Sequence, residues 1–243
     1  MRQNVRRYNE AVAAPPFTCF FDARDPLRYH NYAIPDDPVG GDLDAALERL
    51  RAEFRRRERL PRFEYVEGFA PELAAALEQV GFELELRAPL MICDADEIGI
   101  PPAVEGLRIV PADGDWRAYL TVGRRAFGDG DEPEASDEEV ERRAGRNDGG
   151  SALLGVLDGE PVAVGAATPP LDGLSEVAGI GVLESARKRG IGGAMTVAAA
   201  RDAAARGAEL LFLAPGSEMA QSVYERVGFR AGAETSLYYA DPE

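Results

Sequence analysis

Apolar residues recur at regular spacings along most of the chain, and these spacings predict both helices and strands. One apolar position every three or four residues over 43–54 predicts a helix that Pro61 ends. A second helix is predicted over 73–80. It has Pro71 near its start and Gly81 just beyond its end, which are the places that these residue types favour.

Beyond residue 81 the pattern switches between the two kinds of element, which predicts an α/β (α+β) fold built on a mixed sheet. Strands are predicted over 82–93, 107–110, 152–157, 161–168, 176–182, 210–213 and 229–239, and helices over 114–126, 136–145, 191–206 and 218–227. The acidic and then Pro-rich segment 94–104 is typical of a linker. We therefore expect two domains, residues 1–100 and 101–243.

Composition narrows the class of protein. The chain has 243 residues, is 45% hydrophobic and has a formal net charge of −16. The apolar content suffices for a packed core, whereas the excess of acid argues against nucleic acid or an anionic membrane as partner. No apolar run approaches the ~20 residues of a membrane span, and the N-terminus has no apolar signal core, so we expect a cytoplasmic protein.

Two rare residue types limit the chemistry. His30 is the single histidine, so a Ser-His-Asp mechanism would have to use it. Cys19 and Cys93 are too few for a structural zinc site or a disulfide framework. We expect no metal, and we expect both cysteines to be small buried residues.

Nine acidic residues fall within 129–148. A calcium loop is excluded, because Glu134 and Val140 occupy the positions where that loop requires Gly and Glu. The run is either a solvated loop and helix face or a surface that attracts a cationic acceptor.

The segment Val177–Gly193 carries the most specific pattern in the chain. A predicted strand leads into Arg-Lys-Arg-Gly-Ile-Gly-Gly at 187–193, and an Ala-rich helix follows. Glycines let a backbone approach a ligand, and the first N–H groups of a helix are unpaired and partly positive. Together with three cations they predict a phosphate site. The P-loop and Rossmann glycine patterns are both absent from the sequence.

This motif resembles a known signature. Arg187-x-x-Gly190-x-Gly192 matches the Gln/Arg-x-x-Gly-x-Gly/Ala pattern of the GNAT acyltransferase superfamily, and residues 217–229 resemble the closing helix of that family. The resemblance covers residues 106–240. It implies a GNAT-like fold at 101–243, preceded by a smaller domain that resembles a truncated and degenerate copy.

The resemblance implies N-acetyl transfer from acetyl-CoA, or a similar acyl-CoA, by direct attack of an amine. It implies that the strand pairs with the pantetheine arm and that the loop holds the pyrophosphate. The cofactor-binding residues expected from it are Ile180, Gly181, Val182, Arg187, Lys188, Arg189, Gly190, Ile191, Gly192, Gly193 and Ser217. The family often has Asn where this chain has Ser217, and Ser is also a good helix cap.

Tyr224 matches the tyrosine that serves many members as general acid, since a phenol can donate a proton to a departing thiolate. Glu176, on the strand that enters the site, is the first candidate for the general base, ahead of Glu184 and Glu218. The acceptor is expected to be an amine-bearing small molecule or peptide, and a cationic one if the acidic run contributes.

The N-terminal half contains an echo of the closing helix, because residues 77–82 match 224–229. The echo is either a common helix–Gly–strand unit or the trace of a duplication. Leu77 stands where the second copy has Tyr224, so one active site is expected. Two other functions remain open: a non-catalytic acyl-CoA-binding regulatory module, and an N-terminal half that forms a homodimer or selects the acceptor.

Overall fold

The computed structural model describes residues 9–22, 30–39, 43–145 and 149–242. The chain divides into two compact units, residues 1–90 with 232–243 and residues 91–231. The boundary thus falls at Leu90 rather than after residue 100, and the end of the chain returns to the first unit. Within the described residues, no helix is long and apolar enough to cross a membrane.

The described part of the first unit contains four short strands, two helices, the start of one long strand and most of another. Apart from the last strand, they are β1 (Glu10–Ala14), β2 (Phe17–Phe21), β3 (Tyr32–Pro35), α1 (Asp44–Arg56), β4 (Arg62–Val66), α2 (Leu73–Gln79) and β5 (Glu83–Asp94). Strands β1 to β3 are antiparallel neighbours, and β3 and β4 are parallel. The core forms because α1 places Leu47, Leu50 and Phe54 on one face, against buried aromatic rings of the strands.

The second unit begins within β5 and contains the remaining elements. They are β6 (Leu107–Pro111), α3 (Trp116–Phe127), α4 (Asp137–Ala144), β7 (Ser151–Leu157), β8 (Glu160–Ala167), β9 (Leu174–Val182), α5 (Ile191–Ala205), β10 (Leu210–Leu213), α6 (Glu218–Glu225) and the start of β11 (Arg230–Ala240), whose other residues belong to the first unit. Strands β6 to β9 are antiparallel, β10 is parallel to β9, and the end of β5 is antiparallel to β10. All predicted helices and strands are confirmed to within a few residues, whereas β1 to β4 had no prediction.

Two layers of side chains cover the sheet of the second unit. One layer packs under α5 and includes Met195, Leu211 and Val177. The other packs under α3 and includes Val164 and Leu154. We call these the α5 face and the α3 face.

The two units repeat the same order of elements. The run β1-β2-β3-α1-β4-α2-β5 has the same element types as β7-β8-β9-α5-β10-α6-β11, with antiparallel, antiparallel and parallel pairings in the same places. Each closing helix also ends in the same turn, in which Phe82 N donates to Leu77 O at 2.9 Å and Phe229 N donates to Tyr224 O at 3.1 Å. This order supports the duplication, which stays a proposal.

Candidate functional site

A bulge interrupts β9 in the middle of the segment that the sequence singled out. Ala178 and Gly181 pair with residues of β8 that are only two positions apart, so Gly179 and Ile180 together oppose one residue. Gly179 has a φ of 62°, a conformation that favours glycine. The bulge therefore changes which side chains β9 directs to each face of the sheet.

Glu176, upstream of the bulge, lies on the α3 face, whereas Ile180 lies on the α5 face. The alternation of the paired residues fixes both positions. The Ile180 Cδ1 atom is 2.9 Å from the point where a Cβ on Gly165 would stand, beside Met195 of α5. The Glu176 carboxylate upstream of the bulge and the Ile180 side chain within it thus project to opposite sides of the sheet.

Strands β9 and β10 separate shortly after they meet. Their pairing runs from Leu174 opposite Leu210 to Glu176 opposite Phe212. Strand β9 continues to Val182 while β10 ends at Leu213, so this edge of β9 has no strand partner among the described residues. The result is an opening in the sheet that begins at Glu176.

The open edge presents backbone groups of Ile180 and Val182. Glu176 O accepts a bond of 2.8 Å from Thr168 N, and Leu183 N donates one of 2.9 Å to Val162 O, so both residues turn these groups toward β8. Successive residues of a strand turn to alternate edges, which directs Ile180 N and Val182 N to the open side and the backbone of Gly181 toward β8. Gly181 makes room for α3, because a Cβ at this position would lie 3.0 Å from the Phe127 ring.

The loop between β9 and α5 is shaped for an anion. Lys188 has a φ of 62° and Gly190, the N-cap residue of α5, has a φ of 85°. No side chain caps the helix, so the first amides of α5 point outward unpaired. A Cβ at Gly192 would lie 3.9 Å from both Val182 Cγ2 and Val223 Cγ1, which places Gly192 between the open strand edge and α6.

Only two of the three cations in this loop are available to a ligand. Arg187 Nε donates to Val182 O at 3.1 Å, and its Nη2 donates to Ala126 O at 3.2 Å. Arg187 therefore ties the end of β9 to the last turn of α3. Lys188 and Arg189 are exposed, and neither forms an ion pair with another described residue.

Tyr224 lies in the last turn of α6, on the α5 side of the opening. Its ring packs against the core of the second unit, with its centroid 6.4 Å from that of Phe229. Burial raises the pKa of the Tyr224 phenol, so the hydroxyl stays protonated at neutral pH. A half-buried phenol that keeps its proton is a suitable proton donor.

Glu176 lies on the other side of the opening. It is half-buried, and burial raises the pKa of its carboxyl group because the charged form is poorly solvated there. Its backbone N–H donates to Thr168 Oγ1 at 2.9 Å. A carboxylate with a raised pKa is a better proton acceptor than an ordinary one.

Ser217 is the N-cap of α6, and its hydroxyl accepts a bond of 3.2 Å from Ala220 N. The capping role that its residue type favours is therefore present. Glu184 lies in a 3-10 turn before the loop and Glu218 in the first turn of α6.

Half of the described acids of the run at 129–145 have partners within the protein: Glu132, Asp137, Glu138 and Glu139. Arg117 contacts Asp137 and the Ala135 carbonyl, while Arg124 contacts Glu139 and the Pro133 carbonyl. The Glu132 carboxylate accepts from the backbone N–H groups of Asp129 and Gly130. Glu139 also completes a capping box with Ser136. These contacts hold the loop before α4 against α3.

The rarer residues have simple environments. Cys19 and Cys93 are buried free thiols, as predicted, and burial raises the pKa of Cys19 to about 12. Within the described ranges, no group of His, Cys, Asp and Glu side chains is arranged to hold a metal ion.

Sequence reasoning missed Phe212 and the side-chain contacts of Arg187. Phe212 lies opposite Glu176 at the point where the strands part. The strand was predicted as a buried apolar run, and such a run does not reveal which of its residues face an opening. The motif placed Arg187 with the cations, and only the fold shows which carbonyls its side chain reaches.

Comparisons with known proteins agree with this geometry. The family model "Acetyltransferase (GNAT) family" matches residues 116–229. A GCN5-related N-acetyltransferase from Kribbella flavida is 27% identical, with a TM-score of 0.78, and the match covers 100% of this chain and 93% of that one. No functionally curated protein matches significantly.

Two further structures share the fold at lower identity. A GCN5-related N-acetyltransferase from Sphaerobacter thermophilus is 17% identical with a TM-score of 0.64, and the match covers 93% of this chain and 76% of that one. A tandem GNAT protein from the clavulanic acid biosynthesis pathway is 15% identical with a TM-score of 0.57, over 93% and 79%. The chain therefore has the GNAT fold, and its residues 116–229 form an acetyltransferase domain of the GNAT family.

Proposed function

We propose that the second unit transfers an acetyl group from acetyl-CoA to a primary amine by direct attack. The observation that carries this proposal is the opening that begins at Glu176 and Phe212. It separates a proton-accepting group on the α3 face from a proton-donating group on the α5 face. Family membership supports acyl transfer in general, and the donor, the acceptor and the residue roles are the proposal.

The donor side fits acetyl-CoA. The outward amides at the start of α5 would bind the pyrophosphate, with Lys188 and Arg189 adding positive charge. Ile180 N and Val182 N would donate to the amide carbonyls of the pantetheine arm, as one strand does to another. Arg187 would hold the loop in place through Val182 O and Ala126 O rather than bind phosphate.

The reaction would place one proton transfer on each side of the sheet. Acetyl-CoA supplies a thioester whose carbonyl carbon the amine attacks, so a C–N bond forms and a C–S bond breaks. Glu176 would accept the proton that the amine nitrogen loses, directly or through water. Tyr224 would donate its proton to the departing sulfur, and solvent would restore both groups.

A turnover assay tests this function. The purified protein is mixed with acetyl-CoA and a panel of primary amines, and free CoA thiol and acetylated product are both measured. We expect release of CoA that depends on the amine and equals the acetylated product. Binding of acetyl-CoA without turnover of any amine would indicate a non-catalytic binding module instead.

A further inference from the structure

The surface around Glu176 is a row of four side chains that crosses β9, β10 and β5 and includes Thr168, the residue after β8. Thr168, Glu176, Phe212 and Ile92 follow each other across the sheet, because Glu176 pairs with Phe212 and Phe212 pairs with Ile92. All four lie on the α3 face, since their neighbours Leu211 and Cys93 belong to the core under α5. We call these four residues the Glu176 row.

Helix α3 covers one end of this face and leaves the Glu176 row partly exposed. Val164 is buried beneath α3, and the site of a Cβ on Gly181 is 3.0 Å from Ala126 Cβ. Farther along β8 and β9, Ala166 and Ala178 are half-buried, as are the four members of the row. An acceptor that reaches Glu176 therefore meets these small and apolar side chains.

The Glu176 row itself carries little charge. Glu176 is the one ionisable side chain of the row. Two residues beyond Ile92 on β5, Asp94 forms an ion pair with Arg230 at 2.9 Å. Four acids of the run before and within α4 contact arginines or backbone amides, as described above. If an acceptor placed a second positive charge on the Glu176 row, that charge would lose hydration among apolar side chains without gaining a partner in the row.

We propose that the acceptor is a monoamine whose amino group is attached to an apolar, aromatic or aliphatic, body that packs on Phe212 and Ile92. This inference rests on the proposed function, since it takes Glu176 as the group that meets the amine. It replaces the cationic acceptor that the acidic run suggested. An aromatic ring beside the amine position can also attract the ammonium form before it loses its proton.

The test measures binding of the acceptor separately from turnover. 2-Phenylethylamine and spermidine are titrated by calorimetry into protein saturated with CoA. We expect 2-phenylethylamine to bind about tenfold or more tightly than spermidine, and Phe212→Ala to weaken it about tenfold. The matched control is Phe69→Ala, which truncates a partly exposed phenylalanine of the first unit. It should change the affinity for neither 2-phenylethylamine nor spermidine.

The outcomes separate the two proposals. Tighter binding of spermidine, or an unchanged affinity in Phe212→Ala, would overturn the apolar acceptor even if amines are acetylated. Binding of 2-phenylethylamine without acetylation would keep the acceptor class and overturn the transfer reaction. If Phe212→Ala does not fold, Phe212→Leu keeps an apolar strand residue and should still weaken 2-phenylethylamine about threefold.

Discussion

Glu176 and Phe212 are the last paired residues of β9 and β10, and the sheet opens immediately beyond them. The open edge of β9, which an extended ligand can bind, begins at this pair. The two side chains also belong to the surface that a second substrate can contact. The bulge at Gly179 follows and shifts by one residue the alternation that assigns the later side chains of β9 to the two faces.

Arg189→Glu should weaken acetyl-CoA binding by roughly ten- to hundredfold, because it replaces a charge-assisted bond to phosphate by repulsion. Arg108→Glu makes the same change of charge on an exposed position of β6 and serves as the control. Calorimetric titration measures both. Equal affinities of the two variants would remove Arg189 from the phosphate site.

Arg187→Gln should behave differently from a phosphate ligand. Its guanidinium is bound to two carbonyls, so the variant should lower the melting temperature and leave the salt dependence of acetyl-CoA binding unchanged. A salt dependence that flattens in Arg187→Gln, as expected for Arg189→Gln, would show instead that Arg187 contacts the phosphates.

Gly192→Ala tests the narrow place between β9 and α6. Its Cβ would have 3.9 Å of space to Val182 and Val223, so the protein should fold and gain up to about 1 kcal/mol from helix propensity. Because the motif also accepts Ala at this position, the variant should keep its affinity for acetyl-CoA within about twofold.

Gly123→Ala is the matched control for that variant. Gly123 lies within α3, and a Cβ there would be 3.8 Å from Val164 Cγ2. It should give a similar gain in the free energy of unfolding and no change in affinity for acetyl-CoA. A clear loss of affinity in Gly192→Ala alone would mean that the added methyl group obstructs the donor site.

The pH dependence of kcat/KM should report Glu176. Burial raises its pKa, and the base must be ionised to accept a proton. Activity should therefore fall as the pH drops through a pKa above the usual range of a carboxyl group. Glu176→Gln should lose most of the activity, and its remaining activity should no longer fall at low pH in this way. If the fall at low pH is unchanged in the variant, a group other than Glu176 causes it.

The sequence predicted most of the framework but little of the face that meets the acceptor. Helical and strand spacing located every described element from residue 43 onward except β4, and the glycine motif located the anion loop. Strands β2 and β3 are short and fully buried, so their apolar runs lack the alternation that reveals a strand. The role of Phe212 depends on which strands are neighbours, and no local pattern records that.

The acidic run also shows that local sequence does not reveal which distant residues become neighbours. Its composition suggested a surface for cations, whereas the fold brings Arg117 and Arg124 of α3 against Asp137 and Glu139. These partners are separated by 20 and 15 residues in sequence. Pairing at that separation is decided by how the loop returns to α3, which charge counts do not predict.

The role of Tyr224 as general acid is tested by the turnover of Tyr224→Phe. Turnover is monitored as the release of free thiol from acetyl-CoA in the presence of a primary amine. The buried Cys19 and Cys93 should keep the protein itself silent toward the thiol reagent. Tyr65→Phe is the control, because its buried hydroxyl has no hydrogen-bond partner among the described residues. We predict that kcat falls about 100-fold or more in Tyr224→Phe with unchanged affinity for acetyl-CoA, and that Tyr65→Phe retains full activity. Full turnover by Tyr224→Phe would contradict the account.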